Sequence, residues 1–341
     1  MVFNQLKLSL AEQGYIPDKI LRWGMHRLCR QRLAQERQKS RQGLVRDETE
    51  AIAVETKAAN QQHYEVPAKF YEMVLGRNRK YSCCWWDAET GDLDAAEDLA
   101  LARTVNNAGV QSGMEILDLG CGWGSLTVWL AENFPNVGIT AVSNSNSQRE
   151  YIEFRLREKG LDGRVRVITE DINAFDPGRK FDRIISIEML EHVRNHSRLF
   201  ANLAGWLAPR GQILTHVFAH YDLSYDFETE GDNDWMGRYF FTGGMMPNHS
   251  TLPNAAHGFE VLKQDLWCGT HYQKTSLAWL KNMDANKQMI MEIFQQCYQK
   301  DARIWWNRWR MFFLAVAELF GFAAGREWGV IQQSLSKQVV D

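Results

Sequence analysis

Of all the segments in this chain, ILDLGCGWGSLTVWLAE, residues 116–132, most constrains what the chain can fold into. An apolar run closes on Asp118, glycines follow at 120, 122 and 124, and a helix-forming run begins near Ser125. The segment opens a stretch, 113–219, in which β-rich runs alternate with helix-length segments. The runs are MEILDLG (114–120), GITAVS (138–143), VRVITEDI (165–172), FDRIISIEM (181–189) and GQILTHVFA (211–219), with helices expected over 125–134, 146–159 and 196–207. Apolar strands alternating with helices predict a parallel sheet covered on both faces. Glycines at a strand-to-helix turn let the backbone pass close to a nucleotide-like ligand at the carboxyl edge of that sheet. The spacing is G-x-G-x-G, not the G-x-G-x-x-G that cradles a pyrophosphate, and the G-K-[ST] of a Walker loop is missing.

The remaining sequence bounds the rest. A formal net charge of −3 gives no reason to expect a nucleic-acid partner. Six cysteines without a C-x-x-C pair argue against a disulfide framework or a structural zinc site and fit a reducing, cytoplasmic setting. The longest apolar tract, Met311 to Ala324, is interrupted by Glu318 and too short to span a bilayer, so no integral membrane association is expected. Residues 19–46 hold nine Lys/Arg against one acid and read as a helix, either a solvated face or a surface for anionic lipid or an acidic partner. Residues 222–258 read as an irregular, aromatic-rich insertion, followed by a strand (260–268), helices at 275–299 and 302–320, and a last strand at 328–337. The expected organisation is an N-terminal helical arm (1–60), a cap over the cofactor (61–112), a ligand-binding core (113–220), and a lid with pocket helices and last strands (221–341).

The Asp-x-Gly-x-Gly-x-Gly pattern resembles motif I of class I S-adenosylmethionine-dependent methyltransferases. The resemblance implies a Rossmann-like α/β fold, a seven-stranded, mostly parallel sheet, and S-adenosylmethionine as cofactor, with S-adenosylhomocysteine as its product. Asp118, Gly120 and Gly122 would meet the amino-acid and ribose parts. Asp171, with Ile172 beside it, stands where this class reads the adenine amino group; as an alternative, Asp171 caps a helix over 172–176. The second strand ends in Val142-Ser143-Asn144 without the usual ribose-binding acid.

A narrower resemblance is to the cyclopropane fatty acid synthase superfamily and, within it, to the coclaurine and related benzylisoquinoline N-methyltransferases. It is carried by HYEVPAKFYEMVLGRNRKYSCCWW, SNSNSQREYI, RIISIEMLEHV, NDWMGRYFFTGGMMP and WWNRWRMFFLAVAELFG, and covers roughly 55–337. It implies that Asn144 and Gln148 replace the missing acid and that Tyr81 and Ser82 close over the methionine moiety. Ile187 leads into Glu188-Met189-Leu190-Glu191-His192, which matches the catalytic Glu-x-x-Glu-His segment. Glu188 would bind the substrate ammonium or take its proton, His192 would be general base, and Glu191 its orienting or electrostatic partner; His196 reads as a surface residue. Glu65, Tyr81, Phe241, Trp309 and Phe312 are the candidate acceptor-binding residues, with Tyr239–Phe241 and the glycines at 243 and 244 as a hinged lid. Two positions depart from the family pattern: Glu65 stands for an Asp, and Cys83-Cys84 for Ser-Cys.

The expected activity is methyl transfer to the nitrogen of a small, alkaloid-like amine. An aliphatic amine is mostly protonated at neutral pH, so the site must take a proton and hold a cation. The alternative is methylene transfer to an unsaturated lipid, for which the resemblance implies bicarbonate held by Cys83, Glu191, His216 and Tyr272. The expected partner is a small molecule, and a homodimer is left open.

Overall fold

Five apolar runs become the parallel strands β1 (Glu115–Leu119), β2 (Gly138–Ser143), β3 (Val165–Thr169), β4 (Phe181–Ile187) and β5 (Leu207–His220). After a two-stranded ribbon, β6 (Tyr225–Asp226) with β7 (Met245–Met246), the chain adds β8 (Phe259–Cys268) and β9 (Trp328–Lys337). The seven-stranded sheet has the order β3-β2-β1-β4-β5-β9-β8. The first five strands run parallel, and β9 is antiparallel to both β5 and β8. This is the class I methyltransferase sheet. The computed structural model describes residues 2–41, 51–53, 66–231 and 234–338.

The helices of the N-terminal half are α1 (Val2–Glu12), α2 (Asp18–Arg41), α3 (Ala68–Val74), α4 (Leu93–Ala108), α5 (Ser125–Asn133) and α6 (Asn146–Glu158). Those that follow are α7 (His196–Trp206), α8 (Trp235–Tyr239), α9 (Thr251–Ala255), α10 (Gly269–Ala285), α11 (Lys287–Tyr298) and α12 (Ala302–Gly321). Side chains set several starts. Asp92 accepts from Ala95 N at 2.9 Å, and Asn195 from Arg198 N at 2.8 Å. Each such cap contributes about 1 kcal/mol.

Two expectations change. The helix expected over 275–299 is two helices that meet at Asn286, whose side-chain amide donates to the carbonyls of Met73 and Asn282 and so turns the chain. The insertion after 220 is not wholly irregular, since it contains β6, β7, α8 and α9.

Strand order reverses between β1 and β4, so the loops leaving their carboxyl ends diverge and open a cleft. Apolar clusters lie against the sheet, and a third, ring-rich cluster joins α3, α10, α11 and α12 beside that cleft. Four of the basic side chains of α2 find acids within the molecule. Arg22 pairs with Glu318, Arg32 with Glu36 and Asp234, Arg37 with Glu327, and Lys39 with Glu36 and Glu228. The acids that meet these four are Glu36 of α2 itself and residues of the lid and C-terminal part of the same chain. Residues 42–46 of the basic stretch lie outside the described residues. Among the described residues, no helix is long and apolar enough to cross a membrane.

Candidate active site

The loop after β1 holds three glycines at positive φ: Gly120 (82°), Gly122 (52°) and Gly124 (77°). A Cβ on Gly120 would stand 2.6 Å from Met189 Cγ, whereas one on Gly122 meets nothing within 4 Å. The first glycine lets β1 pass the segment after β4, and the second leaves the loop open on its free side. Of the sequence candidates, Tyr81, Ser82, Asp118, Gly120, Gly122, Gln148 and Ile187 line the cleft at this switch point. Arg79 and Trp123 join them without having been singled out by pattern, and Glu188 reaches it from β4. Asp118 is buried, accepts from Thr127 Oγ1 at 2.6 Å, and has its carboxyl raised to about 6 by burial.

Asn144, Asp171 and Ile172 are not among the residues that line this part of the cleft. Asn144 is half-buried just after β2, and Ile172 is buried in the cluster with Leu190 and Val193. No helix forms over 172–176. Asp171 instead closes a turn, one oxygen accepting from both the backbone N–H and the side-chain amide of Asn173 at 2.8 Å. Two buried donors at the cleft, Trp123 Nε1 and Gln148 Nε2, find no partner among the described residues. Buried donors are rarely left unmet, so the cleft suits a ligand rich in oxygen and nitrogen acceptors, as S-adenosylmethionine is.

Glu188, the first residue past β4, has φ of +49° and donates its backbone N–H to His216 O at 2.7 Å. A left-handed glutamate costs about 1–2 kcal/mol, and the result is a side chain turned inward, 8% exposed. Its Oε1 accepts from Cys83 N at 2.9 Å and its Oε2 from the Tyr272 hydroxyl at 2.6 Å. His216 Nε2 lies 3.4 Å from Oε1. Gln332 Nε2 bonds His216 Nδ1 and Thr104 Oγ1, each at 2.9 Å. With Nδ1 accepting from Gln332, the ring proton belongs on Nε2, facing Glu188. Burial holds His216 down to about 4, against the pull of Glu188, so the ring is neutral at pH 7.

Glu191 and His192 sit in the 3-10 turn Leu190–His192. Glu191 is fully buried, and burial, then the charge of Glu188, raises its carboxyl well above the usual range. Its Oε1 accepts from Phe218 N at 2.7 Å, and its Oε2 has no partner among the described residues. Glu191 therefore fastens β5 and forms no hydrogen bond to His192, which corrects the orienting part expected of it. His192 is lowered to about 4 by burial, partly offset by Glu188, and stacks on Phe241 at 5.7 Å with the rings 5° apart. His196 is buried, not a surface residue, and its Nε2 bonds Leu190 O at 2.9 Å, bracing the turn that carries Glu191 and His192.

Rings continue outward from His192. Phe241 lies 6.2 Å from Phe312, which stacks on Phe240 at 4.3 Å. Phe240 is fully buried, packed on Phe312 and Trp309. Trp309 is also fully buried, against Phe70, Phe240 and Phe313. Phe312, itself buried, is thus one ring away from His192, and Trp309, 5.7 Å from Phe312 in the same core cluster, is one ring further. Glu65 lies outside the described residues.

Comparison with known proteins follows the same lines. Residues 53–322 match the family described as mycolic acid cyclopropane synthetase. An (S)-coclaurine N-methyltransferase of Thalictrum flavum subsp. glaucum is 34% identical over 283 residues, 81% of this chain and 78% of its own. The cyclopropane-fatty-acyl-phospholipid synthase of Escherichia coli (strain K12) is 27% identical over 243 residues, 70% of this chain and 60% of its own. A crystal structure of coclaurine N-methyltransferase bound to N-methylheliamine and SAH superposes with a TM-score of 0.91 at 30% identity, covering 99% of this chain and 100% of the other. The chain belongs to the mycolic acid cyclopropane synthetase family and, within it, to the coclaurine N-methyltransferase-like enzymes that use S-adenosylmethionine.

Proposed function

We propose that this enzyme methylates the nitrogen of a small aromatic amine of the tetrahydroisoquinoline type, with Glu188 as the seat of the substrate cation. One observation carries the reading. Three of the four groups that would hold bicarbonate in a lipid cyclopropanase, Cys83, His216 and Tyr272, converge here on the carboxylate of Glu188. The anion in that position is part of the chain. Names of relatives agree, since several are N-methyltransferases of alkaloids and one is bound to an N-methylated amine.

The charge balance suits an ammonium. Glu191 is pushed towards its neutral form and both His192 and His216 are neutral at pH 7, so Glu188 is the negative charge of the cluster. At about 4 Å and an effective dielectric near 20, a carboxylate attracts an ammonium by about 4 kcal/mol before desolvation. Phe241 and Phe312 extend an apolar wall from His192 for the ring system. His192, kept neutral, has a lone pair for the proton the amine must lose before nitrogen can attack. Tyr81, Ser82, Gly120, Gly122 and Gln148 would hold S-adenosylmethionine, which supplies an already activated methyl group. The protein's remaining task is alignment of nitrogen with that methyl.

The test is direct. Purified protein is incubated with S-adenosylmethionine and either a panel of primary, secondary and tertiary aromatic amines or vesicles of unsaturated phospholipid, with and without bicarbonate. Mass spectrometry should find methylated amine, independent of bicarbonate. Methylene added only to lipid, and only with bicarbonate, would overturn the proposal.

A further inference from the structure

Lys80 is one of the few fully buried charged residues, and neither the methyl transfer nor the amine seat uses it. Its Nζ donates to Ser82 Oγ at 2.5 Å and to the Cys83 carbonyl at 2.6 Å. Among the described residues, no carboxylate pairs with it. Lysines are almost never fully buried unless paired, so this one calls for a role. Its backbone is fixed as well: Glu97, also fully buried, accepts N–H bonds from Gly76, Asn78 and Lys80 and locks the loop.

The donor count decides what Lys80 does. An ammonium offers three donors and no acceptor. Ser82 Oγ is therefore the acceptor in their bond, and the hydroxyl proton must go elsewhere. Ser82 lines the cofactor cleft, and no protein acceptor among the described residues takes that proton. The hydroxyl thus faces the cleft as a donor of fixed polarity, strengthened by the positive charge behind it. Such a donor favours an anionic oxygen over a neutral or cationic group.

We propose that Lys80 is a positioning residue that turns the Ser82 hydroxyl into a donor selective for the carboxylate of the cofactor's amino-acid end. The inference rests on the cofactor reading above. Because Lys80 also grips the Cys83 carbonyl, and Cys83 N–H holds Glu188, one side chain ties the cofactor end to the amine seat.

The test uses two ligands. S-adenosylhomocysteine carries the amino-acid end, and 5′-methylthioadenosine has the same nucleoside and thioether without it. Calorimetry on the full chain compares wild type, Lys80→Met, Ser82→Ala and the double variant. Each single variant should bind S-adenosylhomocysteine roughly tenfold or more weakly, as loss of a hydrogen bond to a charged group implies. Methylthioadenosine affinity should be unchanged, and the double variant no weaker than the single ones. Equal losses for both ligands, no loss for either, or additive losses in the double variant would overturn the proposal. Should Lys80→Met show no cooperative melt, Ser82→Ala alone must still separate the two ligands, and failure to do so overturns it too. Wild type that binds neither ligand would instead refute the cofactor reading.

Discussion

Tyr272 donates its hydroxyl proton to Glu188 Oε2 at 2.6 Å, joining the first turns of α10 to the end of β4 across 84 residues of chain. This bond, with Cys83 N–H on the other oxygen, fixes a carboxylate whose backbone is already held left-handed. Tyr272 itself is anchored by stacking on Phe320 at 4.4 Å. Tyr272→Phe keeps that stacking and removes only the donor. A hydrogen bond to a charged group contributes about 1.5–3 kcal/mol, so kcat/KM for the amine should fall about 10- to 150-fold with the melting temperature little changed. Steady-state kinetics and a thermal melt check this.

Glu188→Gly vacates a ready-made anion seat. Glycine accepts φ near +49° without strain, so the variant should fold. It should lose most amine methylation and regain part of it when formate or bicarbonate is added at millimolar concentration, because Cys83 N–H, Tyr272 O–H and His216 Nε2 remain as donors. Initial rates against added anion measure the rescue; chloride should give none.

The pH dependence follows from His192. An ordinary histidine loses its neutral form below about 6.5, but burial holds His192 to about 4. Its lone pair is thus present above about 4 and lost as pH falls through that value. With an amine that stays protonated from pH 5 to 8, kcat/KM should show no limb near 6.5 and fall only at the acid end. A limb near 6.5 would place His192 in water-like surroundings.

Trp309 distinguishes core from pocket. It is fully buried among rings, so Trp309→Ala should cost about 3–5 kcal/mol of stability, read from denaturant midpoints. Phe312→Leu, one ring from His192, should instead raise KM for the amine with a smaller loss of stability.

The sheet was legible because burial on both faces writes the inner strands as largely apolar runs, and β1 to β5 fall where the runs were read; β3, half-buried at the edge, showed by its alternation with the helices. The split of α10 from α11 was not, since Asn286 turns the chain by bonding to Met73, more than two hundred residues away in sequence. The Glu188-x-x-Glu191-His192 segment is visible as a pattern, but its division of labour is not. That division depends on which carboxylate meets donors from residues 83 and 272 and which meets Phe218 N. His196 reads as a surface residue in sequence for the same reason: nothing local shows that the Leu190 carbonyl waits for its ring. Lys80 carries no signal beyond adjacency to Tyr81 and Ser82, because the value of a buried cation lies in what surrounds it.

In the proposed reaction the Glu188 carboxylate seats the substrate cation. Kinetics of Glu188→Gln with an aromatic amine, alongside calorimetry of S-adenosylhomocysteine binding, test it most directly. Glutamine keeps the shape and removes the charge. The expected result is a fall of about 10²–10⁴-fold in kcat/KM for the amine with cofactor affinity essentially retained. Near-normal turnover, or a loss confined to cofactor binding, would contradict it.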